Sequence, residues 1–184
     1  MKLESLRELL IEELQDIYSA ENMILSALPK MAEEATSVEL RNAFNHHLQQ
    51  TRGHVQRLDQ IFDQIPKIDR KDKKCKGMEG IIKDAKDLLS EDAEPEVLDA
   101  GMIAGAQRVE HYEIAGYGCV ATYANLLGEG EAESLLRQTL DEEKETDKKL
   151  TQLAEHINLE AEQAGESEGG NGKGKAMKAR SARA

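Results

Sequence analysis

Glu21, Glu110, Glu113, Glu143, Asp147 and His54 are the residues of this chain whose chemistry asks for an explanation. Each falls where an apolar helical stripe is interrupted. Read at alternating spacings of four and three, one segment gives Leu10, Leu14, Ile17, Glu21, Ile24, Leu28 and Met31. A second gives Leu40, Phe44, His47, Thr51, His54, Leu58, Ile61 and Ile65, with Gln50 bordering the stripe. A third gives Ile103, Ala106, Glu110, Glu113, Tyr117, Val120, Ala124 and Leu127. A fourth gives Leu136, Leu140, Glu143, Asp147, Leu150, Ala154 and Ile157. This spacing marks the helix face turned towards a bundle core. Every stripe is apolar at both ends and polar near its midpoint, so helices of equal length bring the polar residues to one level.

Five carboxylates at one buried level cannot all stay ionised and unpaired. Desolvation and mutual repulsion raise their pKa values, and burial costs several kcal/mol per ion. No Lys or Arg lies on the four stripes. A divalent or trivalent metal ion, or a pair of ions, resolves the conflict. Carboxylate with imidazole suits iron or manganese better than an all-oxygen calcium site, and zinc stays open. Taken singly, His47 or His54 reads as a satisfied core histidine and Tyr117 as core packing. The coincidence across four stripes favours a metal site over a hydrogen-bonded polar layer.

The elements that must position these residues are four long helices. The first is expected over about 3–34, with Pro29 bending its last turns. The second is expected to open at Thr36, with Glu39 completing a capping box, and to stop before Pro66. A basic connection, KIDRKDKKCK over 67–76, leads to a short helix at about 77–90. Pro95 opens the third long helix and Gly128 ends it. The fourth is expected from about Glu131 to Gln163. Two helical hairpins joined by a crossover are one class of four-helix bundle. The domain division is a bundle over 1–163 and a disordered Gly- and Lys-rich tail over 164–184.

Composition narrows the function classes. In 184 residues there is no Trp, only three Pro, and 33% charged side chains, which excludes an all-β fold. No apolar run is long enough to cross a membrane, and no signal peptide is visible, so the expected compartment is the cytoplasm. The net charge of −12 repels nucleic acid and anionic membrane, although the tail carries Lys173, Lys175, Lys178, Arg180 and Arg183. Cys75 and Cys119 lack metal-type spacing and read as reduced thiols without a role. No phosphate-binding loop or nucleophile elbow stands between a strand and a helix.

Four segments go further: LQDIYSAENMI, HHLQQTRGHVQRLDQIF, QRVEHYEIAGYG and TLDEEKETDKKL. Together they resemble the YciE/YciF group of ferritin-like bacterial stress proteins, over about residues 3–158. The resemblance implies a ferritin-like bundle with an extra short helix, a homodimer, a di-metal type of site and an association with stress. It implies no established reaction. By position, Glu21 matches the single carboxylate of the first helix, Glu110 that of the third with Glu113 one turn on, and His54 the imidazole of the second. Thr51 stands three residues before His54 and Gln50 four before. Glu143 is followed by Thr146 and Asp147 rather than histidine. Neither Glu-x-x-His pair of the ferritin-like carboxylate bundles is therefore complete.

Two functions follow. One is a stress protein whose core binds one or two metal ions through Glu21, Gln50, His54, Glu110, Glu113, Glu143 and Asp147, and handles iron or its reaction with oxygen or peroxide. The other is a structural or interaction protein that keeps the polar layer for packing specificity. A homodimer is expected because the crossover helix carries Met78, Ile81, Ile82, Leu88 and Leu89.

Overall fold

Ser5 and Glu8 begin the first helix. The Ser5 side chain accepts from the Glu8 backbone and the Glu8 carboxylate accepts from the Ser5 backbone, a reciprocal cap that starts the helix at Leu6, three residues inside the expected start. The structure, a computed structural model, describes residues 3–64, 70 and 73–176, with side chains to Ala164. Five helices result: α1 Leu6–Glu34, α2 Val38–Gln64, α3 Lys76–Leu89, α4 Pro95–Leu126 and α5 Gly130–Ala176. No strand occurs among the described residues. α1 runs on through Pro29 to Glu34. α5 continues past Gln163, where the sequence placed its end. Extending an existing helix fixes one residue per hydrogen bond, so weak helix formers are carried along. The basic side chains of the tail and half of the basic connection lie outside the described residues.

The start of α2 differs from the expected capping box. Leu40 N–H donates to Ser37 Oγ at 3.3 Å, so Ser37 is the cap. Thr36 instead gives its N–H and hydroxyl to the Asp99 carboxylate at 3.0 and 2.7 Å, and Ser37 N–H joins them at 2.7 Å. Asp99 is buried on α4. A partner from another helix outcompetes Glu39 because it meets three donors at once.

Two hairpins, α1–α2 and α4–α5, pack side by side, with α2 against α5 and α1 against α4. This is the all-α, ferritin-like four-helix bundle. Gly128, at φ 75°, closes α4 in a left-handed turn, with Gly128 N–H on Asn125 O and Glu129 N–H on Ala124 O. The core has two apolar clusters. One holds Leu10, Leu14, Leu58, Ile61, Val120 and Leu136. The other holds Ile24, Leu28, Leu40, Phe44, Ile103 and Leu150. The polar level lies between them, so hydrophobic burial on both sides fixes its position.

α3 lies along α4 and α1. Met78 is fully buried beneath it, worth about 1.5–3 kcal/mol. A Cβ on Gly101 would stand 2.4 Å from Leu88 Cδ2, so a larger residue there would force the Leu88 side chain to move. Ile81, Ile82 and Leu89 pack against the same core cluster. The apolar face that motivated a homodimer is thus turned onto its own bundle. Cys75 has a role after all: its Sγ caps α3 by accepting from Met78 N–H at 3.3 Å, and lies 3.0 Å from both Asp16 Oδ2 and Tyr112 Oη. Cys119 is exposed.

Candidate metal centre

α1 contributes Glu21, α2 His47 and His54, α4 Glu110 and Glu113, and α5 Glu143, all buried. Two overlapping groups form among the described residues. His47, Glu110, Glu113 and Glu143 each place one ligand-type atom within 4.8 Å of the others, and so do Glu21, His54 and Glu143. Glu143 belongs to both. Helical spacing explains the arrangement: residues three and seven apart share a face, so Glu110 with Glu113, and His47 with His54, point inward from single helices.

The two histidines sit in different surroundings. His54 Nε2 lies 2.9 Å from Glu142 Oε2. Arg57 braces that same oxygen and also donates to Thr139 Oγ1 at 2.9 Å. The other nitrogen, Nδ1, is 2.9 Å from Glu143 Oε1 and 3.3 Å from Glu21 Oε1. It is close to both oxygens but aligned for a hydrogen bond with neither, the posture of a ligand facing a shared centre. Burial pulls the His54 pKa down, but Glu143 and Glu21 outweigh it and push it up to about 10. His47 has only Glu110 Oε1 at 3.3 Å, and neither ring nitrogen has a hydrogen bond. Burial holds its pKa below the ordinary value.

The carboxyls divide in the same way. Burial, then the charges of neighbouring glutamates, pushes Glu110 and Glu113 well above the usual carboxylate range. Glu21 is raised by burial, with His54 and the Tyr117 hydroxyl opposing. Tyr117 is buried against Glu21 and donates to its Oε1. Glu143 is lowered, because His54 outweighs its burial. Among the described residues, nine buried side-chain nitrogen and oxygen atoms have no hydrogen-bond partner, and all nine belong to Glu21, His47, His54, Glu110, Glu113 and Glu143. An unmet buried polar atom costs about 1–3 kcal/mol, so the concentration of such atoms at one level is costly, and the groups they belong to could hold a cation. Four carboxylates and two imidazoles, without thiolate, form a hard oxygen-and-nitrogen set that fits iron or manganese and accommodates zinc.

Asp147 lies outside both groups, and Gln50 lines a cavity together with His47. Gln50 Oε1 accepts from Thr146 Oγ1 at 3.5 Å. Asp147 Oδ1 is 3.3 Å from His111 Nε2 and 3.4 Å from Gln107 Nε2. The residues missed by sequence reasoning are Glu142 and Arg57, which flank the stripes rather than lying on them. His47 was visible on its stripe, and its pairing in sequence with His54 was the available signal.

A family model described as a domain of unknown function, DUF892, matches residues 5–163. Protein YciF of Escherichia coli K12 is 43% identical over 163 residues, covering 88% of this chain and 98% of the relative. The crystal structure of YciF, described as an E. coli stress protein, superposes with a TM-score of 0.82 at 42% identity, over 85% of this chain and 99% of that one. YcfI of Rhodopseudomonas palustris gives a TM-score of 0.78 at 39% identity, over 82% and 95%.

Proposed function

The chain belongs to the DUF892 family, and from that premise we propose that it is a stress-associated bundle binding one or two metal ions, iron or manganese before zinc, in its polar layer. The observation that supports this reading is the set of nine unpartnered buried atoms, all on ligand-type residues at one level. His47, Glu110, Glu113 and Glu143 would hold one ion, and Glu21, His54 and Glu143 a second, with Glu143 shared. Gln50, beside His47, would remain a neutral candidate ligand, and Asp147 would stand outside these groups. A redox metal held there would supply electron exchange with oxygen or peroxide.

The chain's own residues prepare the site. Glu142, braced by Arg57, occupies His54 Nε2 and leaves Nδ1 to face the centre. Such outer partners fix ring orientation and are commonly worth about 10–100-fold in metal affinity. Tyr117 orients Glu21 by holding one of its oxygens. The apolar clusters bracket the level on either side along the bundle. His54 and the raised carboxyls Glu110 and Glu113 hold protons that binding would displace.

A second reading also has an observation behind it. His54 already lies within 3.3 Å of three carboxylates, and no Glu-x-x-His pair is complete, which suits a structural stress protein with a self-neutralised layer. Metal analysis of full-length protein purified without added metal separates the two. One or two ions per chain, lost to chelator with a fall in melting temperature, is the expected result. Metal-free protein whose melting ignores both chelator and added iron or manganese would leave the structural reading. A homodimer and a cytoplasmic location belong to the proposal, the former resting on family resemblance now that the crossover's apolar face is covered. Light scattering at micromolar concentration checks it.

A further inference from the structure

A cavity of about 170 Å³ opens among the five helices on the His47 side of the polar layer. Its walls are hydrocarbon, including Ile24, Phe44, Ile81, Ala106 and Leu150, and His47 and Gln50 also line it. A cavity of roughly 150 Å³ with such walls takes a molecule the size of benzene. The occupant's apolar part is therefore about six carbons, far too small for a helix or a peptide strand.

The mouth has a definite charge. Lys30 of α1, Lys86 of α3 and Lys149 of α5 line the cavity and are exposed, and no carboxylate lines it among the described residues. This is unusual on a chain with 36 Asp and Glu against 24 Lys and Arg. The lysine ion pairs among the described residues belong to Lys73, Lys74 and Lys144. The three at the mouth are left without a fixed counter-charge. They come from separate helices as single point charges, with no arginine among the lining residues. A phosphate site ordinarily uses an arginine fork or a helix N-terminus.

We propose that this cavity binds a small amphipathic carboxylate, its hydrocarbon body inside and its head group among Lys30, Lys86 and Lys149. The binding rests on the cavity alone. What the ligand is for rests on the metal reading: the hydrocarbon end meets His47, so a molecule of this class would lie beside the centre as its organic substrate.

The test titrates the metal-free, full-length chain with hexanoate, hexanol, hexylammonium and hexyl phosphate, followed by NMR shifts of residues around the cavity. Hexanoate should saturate one site, with hexanol and hexylammonium about tenfold weaker or worse. Changing Lys30, Lys86 and Lys149 together to Gln should weaken hexanoate about tenfold and leave hexanol unchanged. Ala106→Phe should abolish both; if that variant does not fold, the lysine variant decides. Equal binding of hexylammonium, hexanoate indifferent to the lysines, or tighter binding of hexyl phosphate would overturn the proposal. Because no metal is present, failure here leaves the metal analysis standing, and a metal-free native protein leaves this titration standing.

Discussion

His54 and His47 stand seven residues apart on one helix and face the same level, yet they have opposite electrostatic fates. His54 has carboxylates on both sides of the ring and an arginine behind one of them. His47 has one imperfect neighbour, and beside it stands Glu113 with neither oxygen bonded. The difference teaches where a cation is needed. Around His54 a proton already supplies the positive charge. Around His47, Glu110 and Glu113 nothing in the chain does: burial disfavours charge on all three, and His47, Glu113 and one oxygen of Glu110 have unmet hydrogen bonds. A first metal ion should therefore enter on the His47 side, where it meets the unpartnered atoms and takes the place of the carboxyl protons, and a second, on the His54 side, must displace the imidazolium proton.

The largest effect that could break this comparison is that of pH. Each ion bound at the expense of one proton gains affinity about tenfold per pH unit. Between about pH 6 and pH 8, manganese affinity at the weaker site should rise about a hundredfold, measured by competition with a chelating dye. A flat profile would mean that His54 carries no proton. The metal-free protein supplies the converse. The His54 pKa is raised from 6.5 to about 10. The stability it contributes is therefore fully present below about pH 6.5 and lost as pH climbs through about 10. Ionising Glu110 and Glu113 costs stability in the same direction. Melting temperature should fall over that range, and His54→Gln should flatten the fall.

Next in size is the shared ligand. Glu143→Gln removes a carboxylate from both groups and should lower metal affinity at least about tenfold at each. Glu133→Gln should leave metal content unchanged, because Glu133 pairs with Arg137 and Asn125 away from the layer. Loss of one ion but not the other, read by metal stoichiometry, would show that Glu143 serves only one half.

A smaller, sharper contrast lies in two substitutions of opposite sign. In metal-free protein, Glu113→Gln replaces a carboxyl with no partners, and should raise stability by about 1 kcal/mol in urea unfolding. Glu21→Gln removes a partner of His54 and weakens the acceptor of Tyr117, and should lower stability by about 1–2 kcal/mol. Equal signs would erase the distinction between the halves. The smallest effect is that of Arg57→Gln. The Arg57–Glu142 pair is partly solvated, so its loss should cost about 0.5 kcal/mol after solvent screening. Removing the guanidinium also takes a positive charge from beside the His54–Glu142 pair and should raise the His54 pKa, which an NMR titration of the ring reads directly.

Sequence alone made the helical order and the level of the polar layer legible, because both depend on periodicity: an apolar stripe broken at its midpoint needs no knowledge of neighbours. The Ser5–Glu8 cap was written in the sequence as S-x-x-E, but the charged opening looked like helix from Leu3 onwards. What periodicity could not reveal were the partners that come from elsewhere. Glu142 sits one residue off its stripe, and only the packing of α2 on α5 brings Arg57 and His54 to it. Gln50 bordered its stripe and Asp147 lay on its own, and for each a rotation of a few tens of degrees decides how far the side chain turns inward. Asp99, which holds the start of α2, is invisible to any local rule.

That same Asp99 bears on time rather than structure. Its bonds to Thr36 and Ser37 join residues 62 and 63 positions apart, whereas each hairpin closes through short turns. Closing so long a loop costs entropy that only the finished contact repays. A clasp of this kind forms late, after both hairpins exist. It therefore contributes little to how fast the chain assembles and much to how slowly the two hairpins come apart. For a bundle whose polar layer is held between its two hairpins, that lifetime matters more than the depth of the equilibrium.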